Sequence, residues 1–137
     1  MKYHLMTTKE KNCILNVASK REFPLFYEYC EKRKDSTEET LYVIFYGEEK
    51  ERIVAVAGIE AITENRVYIS PLEVRSDLQK NGIGTYVLQK IKHMLNSAGK
   101  EILLSCEERL FPFYEKNGFS VYRKRSDCEE YYMIAKP

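Results

Sequence analysis

Apolar and polar residues alternate along this chain in segments short enough to read one by one. Tyr3 to Thr7 has the character of a short first strand. Residues 9–34 read mostly helical, as two helices with a break before Pro24, and carry the aromatic cluster Phe23, Phe26, Tyr27 and Tyr29. Lys34 to Thr40 is a polar loop. Leu41 to Tyr46 is rich in β-formers and is followed by the hairpin-like turn Gly47-Glu48-Glu49-Lys50. Arg52 to Ile62 is a second, very apolar strand. Thr63-Glu64-Asn65 turns the chain into a third strand, Arg66 to Val74, where Pro71 predicts a bulge, an edge or a splaying of neighbours.

The period then changes. Val87, Leu88, Ile91, Met94 and Leu95 form a one-sided stripe, so 84–98 predicts an amphipathic helix closed by Gly99. Glu101 to Ser105 reads as a buried strand. Glu107 to Asn117 predicts a second helix, opened by two acids that suit its N-terminus and ended by Gly118. Phe119 to Tyr122 and Tyr131 to Ala135 complete the strands, joined by a charged hairpin loop over residues 123–130. The order predicts an α/β chain, in the three-layer α+β sense: a meander, then strand–helix–strand–helix–strand–strand.

Composition narrows what such a chain can do. Its 137 residues suit one domain, 1–137. Lys and Arg total 22 against 21 Asp and Glu, and this balance argues against a nucleic-acid partner bound through phosphates. No apolar run approaches the roughly 20 residues of a membrane helix, and no secretory leader is visible, so a cytoplasmic protein without a membrane partner is expected. Cys13, Cys30, Cys106 and Cys128 lack metal or redox spacing, and His4 and His93 are far apart, so free thiols and no metal are expected.

The chemistry concentrates where a strand meets the best helix. Gln79-Lys80-Asn81-Gly82-Ile83-Gly84 matches neither the dinucleotide nor the Walker fingerprint, but its physics is related. Glycine lets backbone approach a ligand closely, and the first helical turn offers unpaired N–H groups at a positive dipole end. Together they suit phosphate oxygens, with Lys80 as a nearby cation and Thr85 as a hydroxyl.

The stretch Leu72-Glu73-Val74-Arg75-Ser76-Asp77-Leu78-Gln79-Lys80-Asn81-Gly82-Ile83-Gly84 resembles the acetyl-CoA motif L-x-V…[RQ]-x-x-G-x-[GA] of the GNAT N-acetyltransferase superfamily. Downstream, Phe113-Tyr114-Glu115-Lys116-Asn117-Gly118-Phe119 resembles a second motif of that family. The resemblance covers roughly residues 41–135 and implies a mixed, centrally splayed sheet flanked by helices. It implies acetyl-CoA as co-substrate and transfer to a primary amine, on a small molecule or a peptide. The backbone of Leu72, Glu73 and Val74 would then pair with the pantetheine arm. The N–H groups of Gln79, Lys80, Asn81, Gly82, Ile83, Gly84 and Thr85 would hold the pyrophosphate. Tyr114 would protonate the departing thiolate, and an N–H, plausibly that of Val74, would stabilise the oxyanion. A homodimer is an option that the family leaves open.

Three departures accompany the resemblance. Glu107 stands where many relatives have Asn. Cys106 to Tyr114 is similar to the arylalkylamine N-acetyltransferase branch, but the positions of that branch's strand histidines hold Tyr68 and Ser70. No general base matches cleanly: Glu73, the candidate catalytic acid on the strand, and Glu60 are the nearest acids, both with the look of solvated strand residues, and relay through water competes with them. The competing expectation is a CoA-binding sensor or interaction module without turnover.

Overall fold

The computed structural model describes residues 3–36, 39–48, 52–79 and 82–137. The elements are β1 (His4–Thr8), α1 (Asn12–Leu15), α2 (Pro24–Lys32), β2 (Leu41–Tyr46), β3 (Ile53–Thr63), β4 (Arg66–Val74), α3 (Ile83–Ser97), β5 (Glu101–Cys106), α4 (Phe111–Lys116), β6 (Ser120–Lys124) and β7 (Tyr131–Ala135). The strands form one seven-stranded mixed sheet in the order β1-β2-β3-β4-β5-β7-β6. Only β4 and β5 are described as a parallel pair, joined by the α3 crossover. Their ladder runs from Arg66–Glu101 to Tyr68–Leu103. Beyond it β4 continues through Pro71, which has no N–H to donate and follows a cis peptide bond.

The chain divides into two compact units, Met1–Glu60 with Ser70–Val87, and Ala61–Ile69 with Leu88–Pro137. In the first, β2 is covered on both faces, which explains its unbroken apolar run. Tyr42 and Ile44 face a core of Ile14, Phe23, Phe26, Cys30, Ile53 and Val56. Phe45, on the other face, stacks edge-on against Tyr86, which also meets Tyr3. Helix α2 buries Phe26 and Cys30, four residues apart, and exposes Leu25 and Glu28. The Tyr27 hydroxyl donates to the carbonyls of Leu15 and Ala18, tying α2 to the end of α1.

In the second unit Ile102, Leu103 and Leu104 of β5 and Met133, Ile134 and Ala135 of β7 are buried, as are Leu88, Ile91 and Leu95 of α3. Cys13 and Cys128 are exposed, while Cys30 and Cys106 are buried.

The elements follow the hydrophobic pattern with three differences. Residues 9–34 hold less helix than the pattern predicts. Between α1 and α2 the chain turns at Ser19, whose N–H and hydroxyl bond Glu22, and it enters α2 through a non-helical Phe23 before Pro24. Glu107 to Asn117 is not one helix. Glu107 is extended, Glu108–Leu110 is a 3-10 turn, and α4 starts at Phe111 with Pro112 in its first turn, where a missing N–H costs nothing. The two acids therefore precede α4. Strand β6 runs on to Lys124, because Arg123 and Lys124 pair with Tyr132 and Tyr131 and lie over their rings. The turn at Glu49-Lys50 and the Thr37-Glu38 part of the polar loop lie outside the described residues.

One close approach fixes how β3 meets β4. A Cβ on Gly58 would strike the Ser70 carbonyl oxygen and crowd Thr40 Cγ2 at 3.2 Å. Only glycine fits there without moving backbone. Gly58→Ala is expected to lose about 1–3 kcal/mol of stability in urea unfolding. An unchanged midpoint would show that the strands part at no cost.

Candidate functional site

The end of β4 is held from several sides. Glu73 is 4% exposed. Its Oε2 accepts the Leu25 N–H at 3.0 Å and its Oε1 accepts the Phe26 N–H at 2.8 Å. The reading of Glu73 as a solvated strand acid is thereby corrected. Helix α2 begins at Pro24 with no side-chain cap of its own, so its first turn takes the carboxylate of a distant strand. Burial pushes the Glu73 carboxyl up, against the two N–H bonds that pull it down. Glu60, the other acid, is also engaged: it accepts the Tyr29 hydroxyl at 3.0 Å and pairs with Arg33 at 3.2 Å.

Arg75 follows at once and is 7% exposed. Its backbone N–H bonds the Val54 carbonyl at 2.8 Å, Nη1 bonds the Ile53 carbonyl at 3.1 Å, and Nε meets Asp77 at 2.6 Å. Ser76 adds bonds from its N–H to the Glu22 carbonyl and from its hydroxyl to the Arg21 carbonyl. Sequence reasoning did not single out Arg75. The available signal was an arginine closing an apolar strand with an aspartate two residues on.

Between these anchors Leu72 and Val74 are half-buried. Gln79 is exposed, and its side-chain amide donates to the Val74 carbonyl at 3.3 Å. Lys80 and Asn81 lie outside the described residues. Gly82 has φ +78°, with open space where a side chain would stand. It is required for its backbone conformation, not for room. Its carbonyl accepts the Tyr86 N–H at 3.2 Å, the first bond of α3. Ile83 is buried and anchors this turn, while Gly84 and Thr85 are half-buried. The N–H groups of Ile83, Gly84 and Thr85 have no partner inside the helix and stand at its positive end. That combination suits an anion.

The second unit carries Tyr114 on α4. Its ring packs edge-on against Phe113 at 5.0 Å and Phe119 at 5.8 Å. Burial, with smaller contributions from Cys106 and Glu130, pushes its phenol up to about 12. Asn117, also unremarked in the sequence, is buried and braces this helix. Its Nδ2 bonds the Phe113 carbonyl at 2.7 Å and its Oδ1 accepts Gln89 of α3 at 2.7 Å. Cys106 lies against the Met133 sulfur at 3.4 Å, and its thiol is pushed to about 11 by burial, then by Glu130 and Glu107, which leaves it a poor nucleophile. Glu107 is exposed and pairs with Arg109.

A family model described as the acetyltransferase (GNAT) family matches residues 6–119. The chain belongs to the GNAT acetyltransferase family. Solved structures agree on the GNAT fold at low identity. A GNAT family acetyltransferase from Elizabethkingia anophelis with acetyl-CoA bound is 12% identical, with TM-score 0.73 and 98% of each chain covered. A Bacillus subtilis acetyltransferase in complex with CoA is 13% identical, with TM-score 0.72 and 99% of each chain covered. The PaiA N-acetyltransferase of Thermoplasma acidophilum, in complex with coenzyme A, is 16% identical, with TM-score 0.63, and covers 98% of this chain and 99% of that one. No curated protein matches the sequence. Among the described residues of this GNAT chain, no helix is long and apolar enough to cross a membrane.

A phenol near 12 remains neutral where ordinary tyrosines ionise. The chain has 11 tyrosines, so the wild-type minus Tyr114→Phe difference in an absorbance titration at 295 nm isolates this one. Its midpoint is expected near 12, against about 10 for a free phenol. Because the unfolded phenol loses its proton first, Tyr114 also removes stability as pH rises above about 10. A difference midpoint near 10 would place the ring in water.

Proposed function

We propose that residues 1–137 act as one domain, an acetyl-CoA-dependent N-acetyltransferase that moves the acetyl group by direct attack of a primary amine. The acceptor is a small-molecule or peptide amine, the setting cytoplasmic, and no metal or covalent enzyme intermediate takes part. The observation that carries this reading is the Gly82-opened start of α3 within a chain of the GNAT acetyltransferase family. The likeness of residues 106–114 to the arylalkylamine branch is not carried to a substrate, since Tyr68 and Ser70 stand in place of its histidines.

In this reading the main chain of Leu72, Glu73 and Val74 pairs with the pantetheine arm. The N–H groups from Gln79 to Thr85, with Lys80, Asn81, Gly82, Ile83 and Gly84 between them, bind the pyrophosphate. The Glu73 side chain keeps its structural place under α2. Attack of the neutral amine on the thioester carbonyl gives an oxyanion, which a β4 backbone N–H, that of Val74, stabilises. The C–S bond then breaks. A free thiol titrates near 8.5, so a phenol held near 12 is the weaker acid. Tyr114 therefore acts first as a hydrogen-bond donor to the developing thiolate. It completes the transfer as the new amide nitrogen gives up its extra proton and restores the phenol.

Tyr114→Phe should lower kcat about 10²–10³-fold while acetyl-CoA affinity by calorimetry is unchanged. Equal losses in both would make Tyr114 a packing residue only. Gly82→Val, strained at positive φ, should weaken acetyl-CoA binding about tenfold or more with the fold retained. A wild-type protein that does not bind acetyl-CoA would overturn the reading itself.

A further inference from the structure

Helix α4 carries Tyr114 and has little of its own to hold it in place. It spans six residues, Phe111–Lys116, with no side-chain cap at its start and Pro112 in its first turn. A helix this short does not persist on its internal hydrogen bonds. Phe113 and Phe119, which meet the Tyr114 ring edge-on, belong to the same short stretch of chain. The Tyr114 hydroxyl has no hydrogen-bond partner among the described residues, and no polar side-chain atom sealed from solvent among them lacks one. The hydroxyl is therefore open to a ligand, and only the backbone beneath it steers it.

That backbone is held from its C-terminal side. The Tyr114 carbonyl accepts the N–H groups of Asn117 and Phe119, each at 3.0 Å. The Phe113 carbonyl accepts Asn117 Nδ2 at 2.7 Å. A carbonyl can only accept, so it fixes which way round the Asn117 amide stands and turns Oδ1 toward α3. There Gln89 Nε2 donates to it at 2.7 Å. Asn117 is buried, Gln89 is exposed, and both lie in the second unit with Tyr114. The place of Asn117 needs a donor and an acceptor on one short side chain. Aspartate could answer Gln89 but not the Phe113 carbonyl, and leucine could answer neither.

We propose that Gln89 and Asn117 are positioning residues for the acetyl transfer, which hold the backbone of Phe113 and Tyr114 against α3 and so aim the Tyr114 hydroxyl. The inference rests on the acetyltransferase reading above, in which that hydroxyl meets the developing thiolate. Neither residue touches substrate in this role. A donor displaced by about 1 Å loses much of its effect on the rate, because its hydrogen bond is strong only over a narrow range of distance and angle. The main-chain groups assigned to acetyl-CoA lie on β4 and at the start of α3, so cofactor affinity is left alone.

The test measures kcat and KM for thiol release from acetyl-CoA, with 2-phenylethylamine, putrescine and N-α-acetyl-lysine as acceptors. The proteins are wild type, Gln89→Met, Gln89→Lys, Tyr114→Phe and the double variant Gln89→Met/Tyr114→Phe, each with a thermal melt. Methionine keeps the length and helix preference of glutamine but has no N–H to give, while lysine keeps a donor. Position 89 is exposed, so every variant there is expected to fold. Gln89→Met should lower kcat about tenfold at an unchanged KM for acetyl-CoA. Gln89→Lys should stay within about twofold of wild type. The double variant should be no slower than Tyr114→Phe, since a donor that is absent cannot be misplaced. Hydrogen exchange reads the same tie without substrate: the Asn117 and Phe119 N–H groups should exchange about tenfold faster in Gln89→Met and at the wild-type rate in Gln89→Lys. A wild-type kcat in Gln89→Met overturns the proposal. Losses that multiply in the double variant do so too, because they mark a general disturbance of the unit. A wild-type kcat in Tyr114→Phe overturns the donor role of Tyr114 and the proposal with it. A wild type that releases no thiol with any of the three amines overturns the acetyltransferase reading on which both rest.

Discussion

The N–H groups of Leu25 and Phe26 open a helix that brings no acceptor for them, and the carboxylate of Glu73 receives both. Much of the first unit follows from that bond. It pins the first turn of α2 to the last turn-out of β4, so the helix carrying Phe26 and Cys30 is set against β2 and β3 at a fixed height. Arg75, two residues on, completes the arrangement by bonding the first carbonyls of β3. A strand end secured through alternate residues presents its main chain in one orientation. In the reading proposed above, that orientation serves a ligand paired to the main chain of Leu72 and Val74. The carboxylate is buried at some cost to its ionised form, which is tolerable because two N–H donors meet it.

Strands were the most legible part of the sequence. Leu41 to Tyr46 and Arg66 to Val74 coincide with β2 and β4, because runs of β-branched and aromatic residues bounded by turns leave little choice. Helix α3 was legible from its stripe and from Gly99. The failures share one cause. Glu73, Arg75 and Asn117 look like surface residues by type, and only contacts far along the chain make them buried structural groups. A cap supplied from 48 residues away cannot be seen in a local window. The break before α4 was readable in principle from Pro112, but two acids at 107 and 108 imitate a helix start.

The candidate site was legible only where it is local. Gly82 announces itself by type and by place, and its positive φ agrees. Tyr114 was found through its motif, whereas its weak acidity comes from Phe113, Phe119 and the burial they create. Glu130 was invisible within a charged loop. Its setting depends on a hairpin that returns it to Ser105 and to Arg125, which also holds Asp127.

The cysteines acquire a practical meaning from their distribution. Cys13 is exposed in the first unit and Cys128 in the second, while Cys30 and Cys106 are shielded. The native chain therefore carries one reactive handle on each unit, with no substitution needed. A pair of spin labels or dyes attached there would report, in real time, whether the units move as acetyl-CoA binds and CoA departs.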